Sequence, residues 1–328
     1  MRPALLPMRP YLREIIWGGR GLQRHYNKPL SPGKSIGESW EVSAYPDMES
    51  TVAAGPFAGW PLRRLIREHG RELLSDRVYK RYAGELPLLI KLLDARQDLS
   101  IQVHPHDGYA RERKLGKFGK MEAWYVLRSD NGQIACGLKD GVDKPAFVEA
   151  IHNNRVEDAV QFFTVRPGDV VLMPPGTVHA LCGGVMVYEV QQSSDLTFRI
   201  YDYNRPGPDG SPRELHVDRA LEVITFGSPT HPPLHWCDLP GATSNHTLLT
   251  ESEHFRLERC NPPERKTEHP AYSSLVAVTF LGGNAEIASA QESYPAKKGD
   301  TFLVSADRPF SVLHRDGLHP EYLISSIP

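Results

Sequence analysis

The sequence predicts a mainly β protein in which short antiparallel strands build a barrel or sandwich and a few helices flank it. Three observations carry this. The 28 prolines and 27 glycines are scattered along all 328 residues and punctuate short segments rich in Val, Ile, Leu, Phe and Tyr, which is the texture of many short strands. Only a few stretches have helical periodicity. Finally, Pro167-Gly168-Asp169-Val170-Val171-Leu172-Met173 is echoed by Lys298-Gly299-Asp300-Thr301-Phe302-Leu303-Val304. In both, a Gly-Asp turn feeds an apolar strand, so the two halves read as distant repeats of one architecture.

In chain order, residues 61–82 read as the first helix, with Leu62, Leu65, Ile66, Leu73 and Leu74 on one face and Pro61 where a helix begins. Strands are expected at 121–127, 133–138, 170–173, 185–191 and 198–203, each bounded by turn residues. A second helix is expected over 144–153, opened by Pro145 and carrying Phe147, Val148 and Ile151, and a third over 216–226 with Val217, Ala220, Leu221 and Ile224. From 230 to 245 the composition turns to His, Pro, Gly and Ser, with Pro232 next to Pro233, which reads as a linker. Further strands are expected at 255–259, 275–282, 301–304 and 310–313. The expected organisation is therefore a larger domain over 1–229, a linker over 230–245 and a smaller β domain over 246–328.

Composition limits the function. A net charge of −2 and a charged fraction of 24% give no general electrostatic reason to bind nucleic acid or an anionic membrane. The first 21 residues carry Arg2, Arg9 and Arg13 but no apolar run long enough for a signal peptide or membrane span. Cys136, Cys182, Cys237 and Cys260 are far apart in sequence and form no CxxC pair, which indicates neither a zinc knuckle nor a disulfide scaffold. A reducing, cytoplasmic location is expected, with no obligate protein partner.

The chemistry concentrates in three places. Leu99-Ser100-Ile101-Gln102-Val103-His104-Pro105-His106 supplies a strand whose alternation sends Ser100, Gln102 and His104 to one face. Glu122 follows, and then Gly168-x5-Pro174-x-Gly176-x2-His179. Two imidazoles and a carboxylate suit a divalent first-row metal with positions left open for water or substrate. Any one of the 14 histidines taken alone would be read as a surface or hydrogen-bonded core residue. The context of His104 and His179 separates them from the rest. The Gly168-to-His179 segment is similar to the second cupin motif, in which Gly and Pro shape a turn that delivers histidine to the barrel interior. His104-Pro105-His106 fits the H-x-H of the first cupin motif, but Glu122 arrives only after a charged insertion over 107–120. The first domain is thus expected to be a cupin (jelly-roll) barrel. The second is expected to be jelly-roll-like and metal-free, because its copy of the turn-and-strand phrase continues as Ser305-Ala306-Asp307-Arg308 and offers no ligand.

Six ordered segments make the resemblance specific: Gly37-Glu38-Ser39-Trp40-Glu41, Leu86-Pro87-Leu88-Leu89-Ile90-Lys91, Leu99 to Pro105, Lys120-Met121-Glu122-Ala123-Trp124-Tyr125, Pro175-Gly176-Thr177-Val178-His179-Ala180, and Asp195-Leu196-Thr197-Phe198-Arg199-Ile200-Tyr201-Asp202-Tyr203. Together they cover roughly residues 10–226 and resemble the type I mannose-6-phosphate isomerases. The chain length and Tyr201-Asp202-Tyr203-Asn204-Arg205 look most like the compact bacterial branch, while the last hundred residues match only loosely.

The resemblance implies a zinc-dependent aldose–ketose isomerase acting on a sugar phosphate through a cis-enediol, with one Zn2+ held by His104, Glu122 and His179. Gln102 lies where some members supply a fourth ligand; its other reading is a hydrogen bond to substrate or to the ligand carboxylate. Arg199 occupies the active-site arginine position, where it would stabilise the enediolate or orient sugar oxygens; outside that motif it would read as a strand residue in a surface ion pair. Lys91 and Ser100, with Arg205 as a third contributor, are expected to receive the phosphate. No Gly-rich phosphate loop is present, so nucleotide binding is not expected. For proton transfer, Glu38, Glu41, His106 and a metal-bound water all remain open, and Glu38 and Glu41 read equally well as structural residues. Two other functions fit a cupin of this kind: an iron-dependent oxygenase and a non-catalytic sugar-phosphate-binding protein.

Overall fold

The computed structural model describes residues 2–207, 210–227, 232–315 and 319–328. Residues 230 and 231 of the expected linker, and the end of the first domain at 229, lie outside them. Among the described residues the strands form four antiparallel sheets. A five-stranded sheet (Phe198–Tyr201, Ile101–Val103, His179–Leu181, Gln133–Leu138, Val160–Thr164) faces a seven-stranded one (Leu234–His235, Asp169–Met173, Glu122–Ser129, Val185–Gln192, Leu88–Ala95, Glu38–Val42, Tyr11–Arg13). Their shared core holds Trp17, Leu93, Trp124, Ile134, Val171, Leu181 and Val187. In the second half, a seven-stranded sheet that includes Arg256–Cys260, Val276–Gly282, Thr301–Val304 and Glu321–Ser326 faces a four-stranded sheet (Lys266–His269, Phe310–His314, Asn284–Ala288, Ser293–Lys297) over Phe280, Ile287, Phe302, Val312 and Tyr322. Among the described residues the strands form open two-sheet sandwiches and do not close into a barrel.

The two seven-stranded sheets also share a core. Ile90, Leu92, Tyr125 and Tyr188 of one pack with Leu257, Ala277, Leu303 and Leu323 of the other, together with helical Leu62, Leu65, Ile66 and Leu74. A strand buried on both faces has no polar side to show, which is why Leu88–Ala95 and Val185–Gln192 read as nearly continuous apolar runs. The N-terminal strand Leu5–Arg9 belongs to the second half's sheet, pairing Leu5 with Val304 and Leu6 with Leu303. The seven-stranded sheet of the second half therefore includes a strand from the start of the chain.

The repeated phrase folds the same way twice. Gly168 and Gly299 have φ of 94° and 92°, a left-handed region that glycine enters without penalty. Asp169 Oδ2 accepts from the amide of Arg166 at 2.9 Å, and Asp300 Oδ2 accepts from that of Lys297 at 3.0 Å.

The expected helix at 61–82 is two helices, Leu62–Leu74 and Asp76–Arg81. Between them Ser75 has φ 80°, and its hydroxyl caps the second helix by accepting from Val78 N. Periodicity alone did not show this break, because the apolar face continues across it to buried Val78. The helix Lys144–His152 is capped by Asp143, whose carboxylate accepts from Ala146 N at 2.9 Å. Val217–Val223 is the third expected helix. The charged insertion after His106 opens with the short helix Asp107–Glu112. Among the described residues no helix is long and apolar enough to cross a membrane.

Candidate active site and metal centre

Three neighbouring strands of the five-stranded sheet place site residues on one rung: Gln102 pairs with His179 on one side and with Arg199 on the other. Glu122 enters from the facing sheet, at the start of Glu122–Ser129, paired with Met173 and Gln191. His104 follows the end of the strand Ile101–Val103. The result is a buried triad in which one ligand-type atom from each of His104, Glu122 and His179 lies within 4.8 Å of the others.

Hydrogen bonds fix how these groups face. His104 Nδ1 lies 2.8 Å from the carbonyl oxygen of Leu196, and His179 Nδ1 lies 2.9 Å from that of Thr177. A carbonyl only accepts, so each Nδ1 carries the hydrogen and each Nε2 keeps a lone pair. Those Nε2 atoms stand 3.4 and 3.1 Å from the two oxygens of Glu122. An imidazole tied back through one nitrogen is oriented to ligate through the other. Among the described residues neither Glu122 oxygen meets a donor in hydrogen-bond geometry, although Lys120 Nζ stands 2.9 Å from Oε2. A fully buried carboxylate so poorly served is costly, and a cation between the three side chains would satisfy it. The donor set therefore fits a divalent metal of the zinc class.

Electrostatics agree with the geometry. Burial, together with Lys120, pushes His104 down to about 3, so its ring is neutral at physiological pH. For Glu122, burial alone would favour the neutral acid, but Lys120, His104 and His179 override it and hold the carboxyl well below its usual range. A neutral His104 ring and an ionised Glu122 carboxylate are protonation states a metal ligand needs.

Beside the triad opens a cleft of about 210 Å³ whose lining includes Gln102, Ser100, Lys91, Lys120 and Arg199. Lys91 is buried beside Glu189 at 3.2 Å, and that carboxylate also accepts from Trp124 Nε1 at 2.8 Å. Burial opposes the Lys91 charge, but Glu189, Glu38 and Asp195 more than compensate, so its affinity for the proton is raised. Ser100 Oγ is 3.4 Å from Gln102 Oε1. Arg199 donates through Nη1 to the carbonyl of Glu214 at 2.8 Å, and its buried Nε has no partner among the described residues.

The proton-transfer candidates are dispersed. Glu38 lines the cleft, where it accepts from Trp40 Nε1 at 2.5 Å and faces Arg13 at 3.5 Å. Glu41 lies elsewhere, buried against Lys28 at 2.7 Å and Thr301 Oγ1 at 3.1 Å. His106 caps the helix Asp107–Glu112 by accepting from Tyr109 N. Arg205 does not line the cleft; it pairs with Asp202 at 2.6 Å.

Sequence reasoning missed Lys120, Arg13 and Arg213. Lys120 Nζ sits 3.0 Å from His104 Nε2, and its spacing of two from Glu122 was a usable signal. Arg13 and Arg213 line the cleft. Arg213 holds Asp202 through two nitrogens at 2.6 and 2.5 Å.

Comparison with known proteins gives the same direction. A sequence model of the type I phosphomannose isomerase catalytic domain matches residues 5–140. The mannose-6-phosphate isomerase of Streptococcus mutans is 34% identical over 294 residues, covering 89% of this chain and 90% of that protein. Mannose-6-phosphate isomerase ManA of Bacillus subtilis is 33% identical over 300 residues, covering 90% and 91%. The crystal structure of the mannose 6-phosphate isomerase from Bacillus subtilis aligns with a TM-score of 0.85 at 32% identity, over 98% of this chain and 99% of that one. The fold is accordingly of the cupin type, and the chain belongs to the type I phosphomannose isomerase family.

Proposed function

We propose that the chain interconverts mannose 6-phosphate and fructose 6-phosphate through a cis-enediol, using one Zn2+ per chain held by His104, Glu122 and His179. The observation that supports this most is the pairing of a donor-poor buried carboxylate and two oriented imidazoles with a cleft lined by cationic side chains. The triad calls for a cation, and the cleft suits a small anionic ligand.

When bound, the cation supplies Lewis-acid stabilisation of the negative charge that develops on O1 and O2 during isomerisation, in general a contribution of several kcal/mol. Arg199 is always charged and keeps one buried donor unused, so it suits a sugar oxygen that gains charge in the transition state. Lys91 and Ser100 are read as the phosphate contacts, with Glu189 holding the Lys91 ammonium in place. Lys120 stands within 3.0 Å of both His104 and Glu122, and its amine is better placed than Glu41 or His106 to pass the migrating proton. Glu38 remains beside the cleft as a second candidate.

No observation favours an iron-dependent oxygenase or a non-catalytic sugar-phosphate binder. The test is to incubate the purified, zinc-loaded protein with mannose 6-phosphate and measure fructose 6-phosphate. Turnover with the phosphorylated sugar and little with free mannose is expected. Tight binding of mannose 6-phosphate without product would instead support the non-catalytic reading, and oxygen consumption by an iron-loaded protein would support the oxygenase.

A further inference from the structure

A second convergent set of donors lies outside the cleft. His235, Cys237 and Asp238 each place one ligand-type atom within 4.8 Å of the others, and the proposed isomerisation uses none of them. His235 Nδ1 is 3.0 Å from Cys237 Sγ, and that sulfur is 3.7 Å from Asp238 Oδ1. In a tetrahedral zinc site with metal–nitrogen and metal–sulfur bonds of about 2.0 and 2.3 Å, neighbouring donors stand about 3.5 Å apart. The two observed separations bracket that spacing.

The backbone beneath these donors is held in place. Leu234–His235 pairs with the strand that begins at Asp169, with Asp169 opposite His235. Trp236 N donates to the carbonyl of Gly168 at 3.0 Å, and Trp236–Asp238 forms one 3-10 turn. The Trp236 ring lies under the Arg259 guanidinium at 4.1 Å. Gly168 is required at this contact, since a Cβ there would stand 2.7 Å from His235 Nε2. Trp236 is thus the anchor of the turn, and the residues flanking it carry the three donors. Among the described residues no cysteine is in a disulfide: Cys136 and Cys260 are buried, Cys182 is half-buried, and Cys237 is exposed and reachable by an ion from solution.

We propose that His235, Cys237 and Asp238 form a second divalent-cation site, separate from the catalytic triad, that takes a zinc-class ion and leaves its fourth position to solvent. The thiol proton passes to solvent as the sulfur–metal bond forms, and no electrons are exchanged. A thiolate and an imidazole select zinc or cobalt over magnesium or calcium, which prefer all-oxygen sites. Bound there, the ion ties the 3-10 turn to His235, whose short strand pairs with the one beginning at Asp169.

Cobalt reports on this directly, because a thiolate–cobalt bond absorbs in the near ultraviolet and the catalytic set contains no sulfur. The full-length protein, first loaded with one equivalent of Zn2+, is titrated with Co2+. The thiolate charge-transfer band is expected to saturate after one further equivalent per chain and to be absent in Cys237→Ser. His235→Gln and Asp238→Asn should each weaken binding by about tenfold or more. Isomerase turnover of Cys237→Ser should match that of the unaltered protein, so failure here is distinguishable from failure of the proposed reaction. No band in the unaltered protein, or a band that survives in Cys237→Ser, would overturn the site. So would alkylation of Cys237 that Zn2+ does not slow, which would mark a histidine-paired reactive thiol instead.

Discussion

Gln102 and His179 face each other across an antiparallel strand pair, with Gln102 Nε2 3.4 Å from His179 Nε2. That contact sets two amide orientations against each other. Turned one way, the amide nitrogen faces the imidazole; turned the other, the carbonyl oxygen does, where it could serve a metal. Gln102→Ala should therefore keep the fold and loosen zinc by roughly 10–100-fold, the range typical of removing a group that supports a metal site. Equilibrium dialysis against a zinc buffer measures this. Unchanged zinc affinity with a raised KM would assign Gln102 to substrate alone.

His179→Ala should abolish bound metal and turnover together while leaving the far-ultraviolet circular dichroism intact. The His179 ring touches the Glu122 carboxylate and the Trp124 edge, but the sheets around it are held by apolar residues. A metal-free His179→Ala protein with full activity would contradict the role given to the triad.

Arg199→Ala should retain zinc and lower kcat by roughly 10²–10³-fold with a smaller change in KM, as for a donor that meets charge only in the transition state. Steady-state kinetics on the zinc-quantified variant provides the check. A rise in KM alone would make Arg199 a binding residue.

Glu41 should act on stability and not on the proton. It is fully buried between Lys28 and Thr301 and links the strand Glu38–Val42 to the turn at Gly299, where Lys28 Nζ also donates to the Gly299 carbonyl at 2.5 Å. Glu41→Gln leaves a buried ammonium without its counter-ion, a loss of about 3–5 kcal/mol. Urea unfolding should show this loss, and the protein that remains folded should turn over normally. Lost turnover at unchanged stability would return Glu41 to the catalytic candidates.

His269 should make the second half sensitive to acid. Its ring is stacked on Phe310, and its Nε2 lies 2.7 Å from Tyr322 Oη. Burial holds it down to about 4 from an ordinary 6.5. Because the unfolded chain takes up this proton first, stability is full above about pH 6.5 and falls as pH drops toward 4, by roughly 3 kcal/mol in all. His269→Gln should flatten the loss between pH 6.5 and 4 in denaturant titrations. An identical slope in both proteins would contradict the assignment.

The parts of the fold legible in the sequence were those with strong local signals. The segment Gln133–Leu138 and the two Gly-Asp turns were readable because turn residues and apolar runs bracket them. The swap of Leu5–Arg9 into the distant sheet was not, because strand pairing across almost the whole chain leaves no local mark. The same contrast holds at the site. The motif spacing brought His104, Glu122 and His179 together on paper, whereas Arg13 and Asp195 of the cleft meet only through tertiary folding. His106, a proton-transfer candidate that fits the H-x-H pattern, caps a helix, a role legible only once the insertion is known to open with the helix Asp107–Glu112.

The most direct test of the metal-assisted isomerase reading is to assay mannose 6-phosphate conversion before chelation, after removal of metal, and after return of one equivalent of Zn2+. Activity should disappear with the metal and return with zinc. Full conversion by a protein shown to be metal-free would contradict it.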